Sequence, residues 1–298
     1  MTKPKNQRGG GGCYANRDIV TELCTNPNAR LLTIFFKEVQ FLKNFSLHSL
    51  IRKPSPGFTL AEVLITLGII GVVAAMTLPT VITNYRKKQT VVQLKKAYSE
   101  INQAVRMAES IHGTLDSWDF SVSSFENSEE QSNYFAENYL FPNIKTIKRC
   151  SSLSDDCWVP GGILLSGEKT SSFITASGYA VNYWLHRVGN GAWFIIDTNA
   201  SKAPNEYGID RFAFVMSWGN AQTTSSVIGG NECTKKLGFL PPGLACNDRE
   251  ITRDDILNAT DNLEGKNWAC TKTATQRRYC SALIMLDNWE IKDDYPWK

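Results

Sequence analysis

From Phe58 to Leu78 the chain runs for 21 residues with one charged side chain, Glu62. At about 1.5 Å per residue, a helix of this length covers the roughly 30 Å hydrocarbon core of a bilayer. No other feature constrains the fold as strongly: the remainder of the 298 residues has to attach to a helix that is apolar all round. A buried helix of a soluble protein seldom runs so long without polar relief. The apolar region of a secretory signal is shorter, about 7–15 residues, and ends at a small-residue cleavage site. No such site follows here.

Beyond Pro79 the pattern changes. Val91, Leu94, Ala97 with Tyr98, Ile101, Ala104 with Val105, Ala108 and Ile111 recur at three- and four-residue steps, with Lys, Gln, Glu and Arg between them. This spacing predicts an amphipathic helix, stopped by Gly113. Continuous from Phe58 to His112, it would be about 80 Å long. Pro79 lacks a backbone donor, and Gly68 and Gly71 loosen the turns before it, so a bend or unwound stretch is expected near 71–79.

A carboxylate in hydrocarbon is costly, so Glu62 should face a partner. No Lys, Arg or His lies between Lys53 and Arg86. A cut between Gly57 and Phe58 would create one cation, the α-amino group of Phe58. That amine is reachable within the helix and, in an array, from a neighbouring subunit.

Net charge divides along the chain. Residues 1–57 carry nine Lys/Arg against three Asp/Glu, a net +6, whereas the part after residue 112 carries 17 against 23, a net −6. A mildly acidic body lacks the basic face that a dedicated nucleic-acid binder needs, and no specific nucleic-acid partner is expected. Lys145, Lys148 and Arg149, with Arg277 and Arg278, are the local basic patches, read as solvated faces. Eight cysteines stand at 13, 24, 150, 157, 233, 246, 270 and 280, without a CxxC and with only three histidines in the chain. Zinc spacing is absent, and disulfides in an oxidising compartment are the expectation. Cys150, Cys157, Cys233, Cys246, Cys270 and Cys280 could pair as sequence neighbours or in any of about 15 connectivities.

Lys53, Pro54 and Gly57, then Phe58-Thr59-Leu60-Ala61-Glu62-Val63-Leu64, resemble the processing and methylation motif of type IV prepilins and type II secretion pseudopilins. The resemblance implies cleavage after Gly57 by a prepilin peptidase and N-methylation of Phe58. It gives Glu62 the role of meeting the amine of an adjacent subunit, with Thr59 beside it in the assembly motif, and matches Pro79 to the proline that bends the family's stalk helix. A weaker likeness covers Gly191–Trp218, a hairpin of the kind found in pilin-like heads. The implied partners are other pilin or pseudopilin subunits, the peptidase, an inner-membrane assembly platform, and lipid before assembly.

Two features depart from the family pattern. A leader of 57 residues is long, and no Met stands between Met1 and Met76, so residues 1–57 are read as a leader or mis-assigned extension, removed on maturation. Basic residues are also denser beyond the span, at Arg86, Lys87, Lys88, Lys95 and Lys96, than before it, at Lys43, Arg52 and Lys53. The positive-inside rule thus leans the other way. The motif and the downstream cysteines place the leader in the cytoplasm, a single span in the inner membrane, and the head in the periplasm or outside.

The expected fold is α+β. A long N-terminal helix over 58–112, transmembrane and then amphipathic, packs against a small antiparallel β-sheet head over 113–298. Gly113 to Pro142 reads as loops or a short helix. Gly161–Leu165, Phe173–Ala176, Tyr179–His186, Ala192–Asp197 and Arg211–Trp218 read as strands, and Leu283–Leu286 as a last strand or helix turn. Catalytic constellations are missing: His186 sits in an apparent strand as a structural residue, and no phosphate-binding glycine motif occurs. Asp197, Asn199, Glu206 and Asp210 could offer oxygens to calcium, although the EF-hand pattern fails at Lys202 and Gly208. A turn built by Asx bonding, Pro204 and Gly208 is the main reading there. The function expected is therefore a pilin-like structural subunit, possibly minor, of a pilus or pseudopilus. The alternative is a membrane-anchored extracytoplasmic ligand-binding or enzymatic protein that never enters a filament.

Overall fold

The computed structural model describes residues 57–120, 125, 128–151, 157, 170–185, 191–200, 202–219, 236–246, 250–259, 262–263, 266–274 and 276–297. Helix α1 spans Leu60–His112, and the boundary between two compact units falls inside it, Met1–Gly68 and Ile69–Lys298. Of the first unit, residues 57–68 are described. Gly57, Phe58 and Thr59 precede the helix, and every side chain from Phe58 to Leu67 is exposed.

In the second unit α1 is exposed over its apolar part and buried along one stripe further on. Val91, Leu94, Ala97, Ile101, Ala104, Val105 and Ala108 are buried, at the three- and four-residue steps that set one helical face. Ile111, expected on that stripe, is 68% exposed, and in the last turn His112 makes the contact instead, stacked on Tyr139 at 4.1 Å. The unwound stretch expected near 71–79 is not present: α1 is helical throughout with Pro79 inside it. Thr77 Oγ1 donates to the Val73 carbonyl at 3.0 Å and Thr83 Oγ1 to the Pro79 carbonyl at 2.9 Å, so hydroxyls attend carbonyls on both sides of the proline. Gly113 ends the helix at φ +88°, a backbone state that disfavours any residue with a Cβ.

The segment after Gly113 holds a short helix, one of the two readings of its sequence. A short 3₁₀ turn, Leu115–Ser117, is followed by α2, Ser128–Phe135, and a π-helical turn, Ala136–Leu140. Six strands then form an antiparallel meander in sequence order: β1 Thr146–Ser151, β2 Ser171–Thr175, β3 Ala180–Leu185, β4 Gly191–Asp197, β5 Arg211–Ser217 and β6 Gly238–Leu240. Helix α3 covers Arg253–Leu257, a small pair β7 Asn262–Leu263 and β8 Lys266–Asn267 follows, and α4 covers Cys280–Leu286. The expected strand Gly161–Leu165 and His186 lie outside the described residues.

Strands β3 and β4 are buried along their whole length, which means both faces are covered. On one face the cross-strand row Tyr183, Phe194, Phe214 meets Tyr98 of α1, 5.7 Å from Phe214, and Phe135 of α2, 6.5 Å from Phe194. On the other, Trp193 packs edge-on to Trp268 at 5.6 Å, and Ser281 of α4 donates to the Ala213 carbonyl at 2.6 Å. The C-terminal segment thus closes the face that the stalk helix leaves open.

Arg278 is wholly buried, which corrects its reading as part of a surface patch. Its guanidinium lies over Trp193 and Trp268, 4.9 and 4.8 Å from the ring centroids, where ring quadrupoles favour a cation. Arg149, in the first patch, pairs with Glu137 at 2.9 Å and covers Phe141 at 4.0 Å.

Candidate processing and assembly site

Thr59 is the last residue before α1, and three bonds join it to the first turn. Its backbone N–H donates to Glu62 Oε2 at 2.8 Å, its hydroxyl donates to the same oxygen at 2.9 Å, and Glu62 N–H points back to Thr59 Oγ1 at 3.3 Å. This reciprocal arrangement is a capping box, which satisfies two of the amide donors a helix start leaves open. The acid in the first turn also faces the positive end of the helix dipole. Glu62 therefore has a neutral partner inside its own chain, Thr59, beside the cation that cleavage would create. The Thr-x-x-Glu spacing was the available signal. Glu62 Oε1 makes no hydrogen bond among the described residues.

Gly57 precedes this cap. A Cβ built there meets nothing within 4 Å, and its backbone is not in the positive-φ region. The fold gives no reason for glycine at 57. Phe58, next in line, is 88% exposed. The junction between them is thus exposed and lies ahead of the helix.

In the second unit the described cysteines of the head are bridged. Cys150 bonds to Cys157 and Cys270 to Cys280. Cys246 is also disulfide-bonded; Cys233, one of its candidate partners, lies outside the described residues. The Cys270–Cys280 bridge ties the start of α4 to the bend that follows β8.

The calcium candidates come together, but around protein donors. Asp197 Oδ2 accepts Arg211 Nε at 3.0 Å, and Oδ1 accepts the Asn199 N–H at 3.2 Å. Asp210 accepts the N–H groups of Asn205 and Glu206 at 2.8 and 2.7 Å and the Asn199 amide at 3.1 Å. Burial pushes both carboxyls above the ordinary range, against the pull of Arg211 on Asp197 and of the two backbone N–H groups on Asp210. Among the described residues no cluster of three His, Cys, Asp or Glu could hold a metal. The segment is built as a turn: Asn205 and Gly208 have positive φ, and the Ala203–Pro204 bond is cis.

The most apolar stretch of α1 is unburied, and α1 is long and apolar enough to cross a membrane. Two family models divide the chain at the end of that run. Residues 52–78 match the prokaryotic N-terminal methylation motif. Residues 80–235 and 253–298, more than half of the chain, match a family of unknown function, DUF6613. The chain belongs to that family. It is a type IV pilin-like precursor by its methylation motif, and this DUF6613 member carries the motif and the span ahead of its family region. Searches of curated proteins and of solved structures return no match.

Proposed function

We propose that this chain is a structural subunit of a type IV pilus or type II secretion pseudopilus, cut after Gly57 and assembled through α1. The observation that carries the reading is the junction. An open Gly57–Phe58 bond, with a glycine its own fold does not require, precedes an exposed apolar helix. A peptidase pocket that admits only a small residue before the bond supplies the missing reason. Hydrolysis adds water across the amide, leaving a carboxylate on Gly57 and an amine on Phe58, which the motif marks for methylation.

Before assembly the Thr59 cap lets the Glu62 carboxylate sit at the membrane interface with its donors in place. In the filament, Glu62 Oε1 takes the Phe58 amine of a neighbouring subunit, so an axial step that misaligns the helices leaves a buried charge unpaired. Residues 1–57 act as the cytoplasmic leader. The head, stapled by disulfides, faces an oxidising side.

Intact mass of the membrane-extracted protein tests this. The expected mass is Phe58–Lys298 plus one methyl group, less two hydrogens per disulfide. A mass that includes residues 1–57 overturns the proposal. Glu62→Ala should be cleaved normally yet fail to enter filaments.

A further inference from the structure

Three consecutive cations, Arg86, Lys87 and Lys88, follow Tyr85 just beyond the apolar part of α1. They stand in a stretch without acids, since no Asp or Glu occurs between Glu62 and Glu100. Tyr85 is 63% exposed, Arg86 and Lys88 are exposed, and Lys87 is half-exposed. None of the three takes part in an ion pair among the described residues. The head carries a net −6, but among the described residues none of its acids pairs with them.

Their depth follows from helix arithmetic. If the Thr59–Glu62 cap stays at one interface, a hydrocarbon core of about 30 Å is filled by about 20 residues, Val63 to Ile82. Tyr85 then stands at the opposite interface, where amphipathic aromatics collect. Arg86 to Lys88 fall about 6–9 Å past the core, which is the headgroup layer. Long basic side chains can also lean back towards it. Lys95 and Lys96 lie about 20 Å past the core, beyond headgroup contact.

Their arrangement around the helix matters equally. Successive residues are about 100° apart, so the three side chains fan through about 200° of the circumference. A docked protein meets one side of a helix, whereas headgroups surround it. We propose that Arg86, Lys87 and Lys88 form a collar that binds the phosphates of anionic phospholipid in the leaflet on the head side and sets the depth of the stored subunit. This explains why basic residues accumulate on the side that the positive-inside rule disfavours. The proposal rests on the membrane-spanning reading of α1.

The test uses the full chain purified in detergent and incubated with equal amounts of phosphatidylglycerol and phosphatidylcholine of matched acyl chains. Native mass spectrometry then counts the lipids retained. The wild type should retain phosphatidylglycerol preferentially. Arg86→Gln/Lys87→Gln/Lys88→Gln should lower that preference by about tenfold or more, since each cation near an anionic surface adds substantially to attraction. Lys95→Gln/Lys96→Gln, a similar loss of charge at the wrong depth, should leave it unchanged. Raising salt should weaken the wild-type preference, a measurement that needs no variant. Equal effects of the two variants, no preference in the wild type, or displacement of the lipid by free inorganic phosphate overturns the collar. Release of the wild-type chain from vesicles by alkaline carbonate instead overturns the membrane-spanning reading, and the collar with it.

Discussion

Thr59 and Glu62 hold each other at the start of α1, the threonine N–H and hydroxyl both donating to Glu62 Oε2 at 2.8 and 2.9 Å. The acid is therefore part of the helix start before any neighbour arrives. Thr59→Ala removes the hydroxyl that receives the Glu62 N–H, and loss of an N-cap oxygen loosens the first turn. Amide exchange at residues 60–63 in micelles should quicken by about fivefold, while cleavage after Gly57 proceeds. Unchanged exchange would mean that the cap does not hold the first turn. Glu62→Gln should keep part of the cap, because its amide oxygen can still accept, yet lose filament entry.

Asp197 and Arg211 are direct cross-strand partners in β4 and β5, and both side chains are 1% exposed or less. Removing one member of a buried pair strands the other, at a cost of about 3–5 kcal/mol. Asp197→Asn should therefore destabilise the protein by about 3 kcal/mol, read from the urea midpoint. Adding Arg211→Met should cost far less than the sum of the two single changes, since the stranded charge is gone. Additive effects would show that the pair is not coupled.

Gly208 sits where the 197–210 turn meets the C-terminal segment. Its φ is +80°, and a Cβ there would stand 2.9 Å from Cys280 Sγ. Its carbonyl accepts the buried Tyr295 hydroxyl at 2.7 Å. Gly208→Ala meets both a left-handed backbone and a collision with sulfur, so a loss of about 2 kcal/mol or more is expected. A melting curve of the full chain in detergent checks it. A Tm equal to wild type would mean that the turn and the disulfide can separate.

Much of this was legible in the sequence where burial and periodicity agree. The span, the α1 stripe from Val91 to Ala108, the stop at Gly113 and the cores of β2 to β5 follow from apolar spacing and aromatic, β-branched runs. Strand β1 was not legible, because TIKRCS is an edge strand with Ile147 exposed and Lys and Arg outward, and strand patterns record burial. Helix α2, SEEQSNYF, has weak intrinsic preference. It is ordered by tertiary burial of Gln131, Ser132 and Phe135, and Gln131 donates to the Phe120 carbonyl. Arg278 could not be told from Arg277 by its immediate neighbours in sequence, since Trp193 of β4 and Trp268, ten residues earlier, make its site. Thr59 and Glu62 carry a capping spacing inside a processing motif, and only geometry separates the two roles.

Burial raises the pKa of Tyr179, Tyr183, Tyr207 and Tyr295 above the ordinary phenol value. For Tyr179, the nearby Glu100 adds to the rise. The folded protein keeps these hydroxyls neutral, while the unfolded chain ionises them at about pH 10. Their contribution to stability is thus complete below about pH 10 and is lost as pH climbs further. In an alkaline titration, the tyrosinate absorbance of these four should emerge in one late step, together with loss of near-ultraviolet circular dichroism. Tyr183→Phe should leave the onset of unfolding in place or shift it upward, because one ionisable group that drives it is gone. Ionisation of all four near pH 10 with the dichroism intact would show that the head admits water to its core.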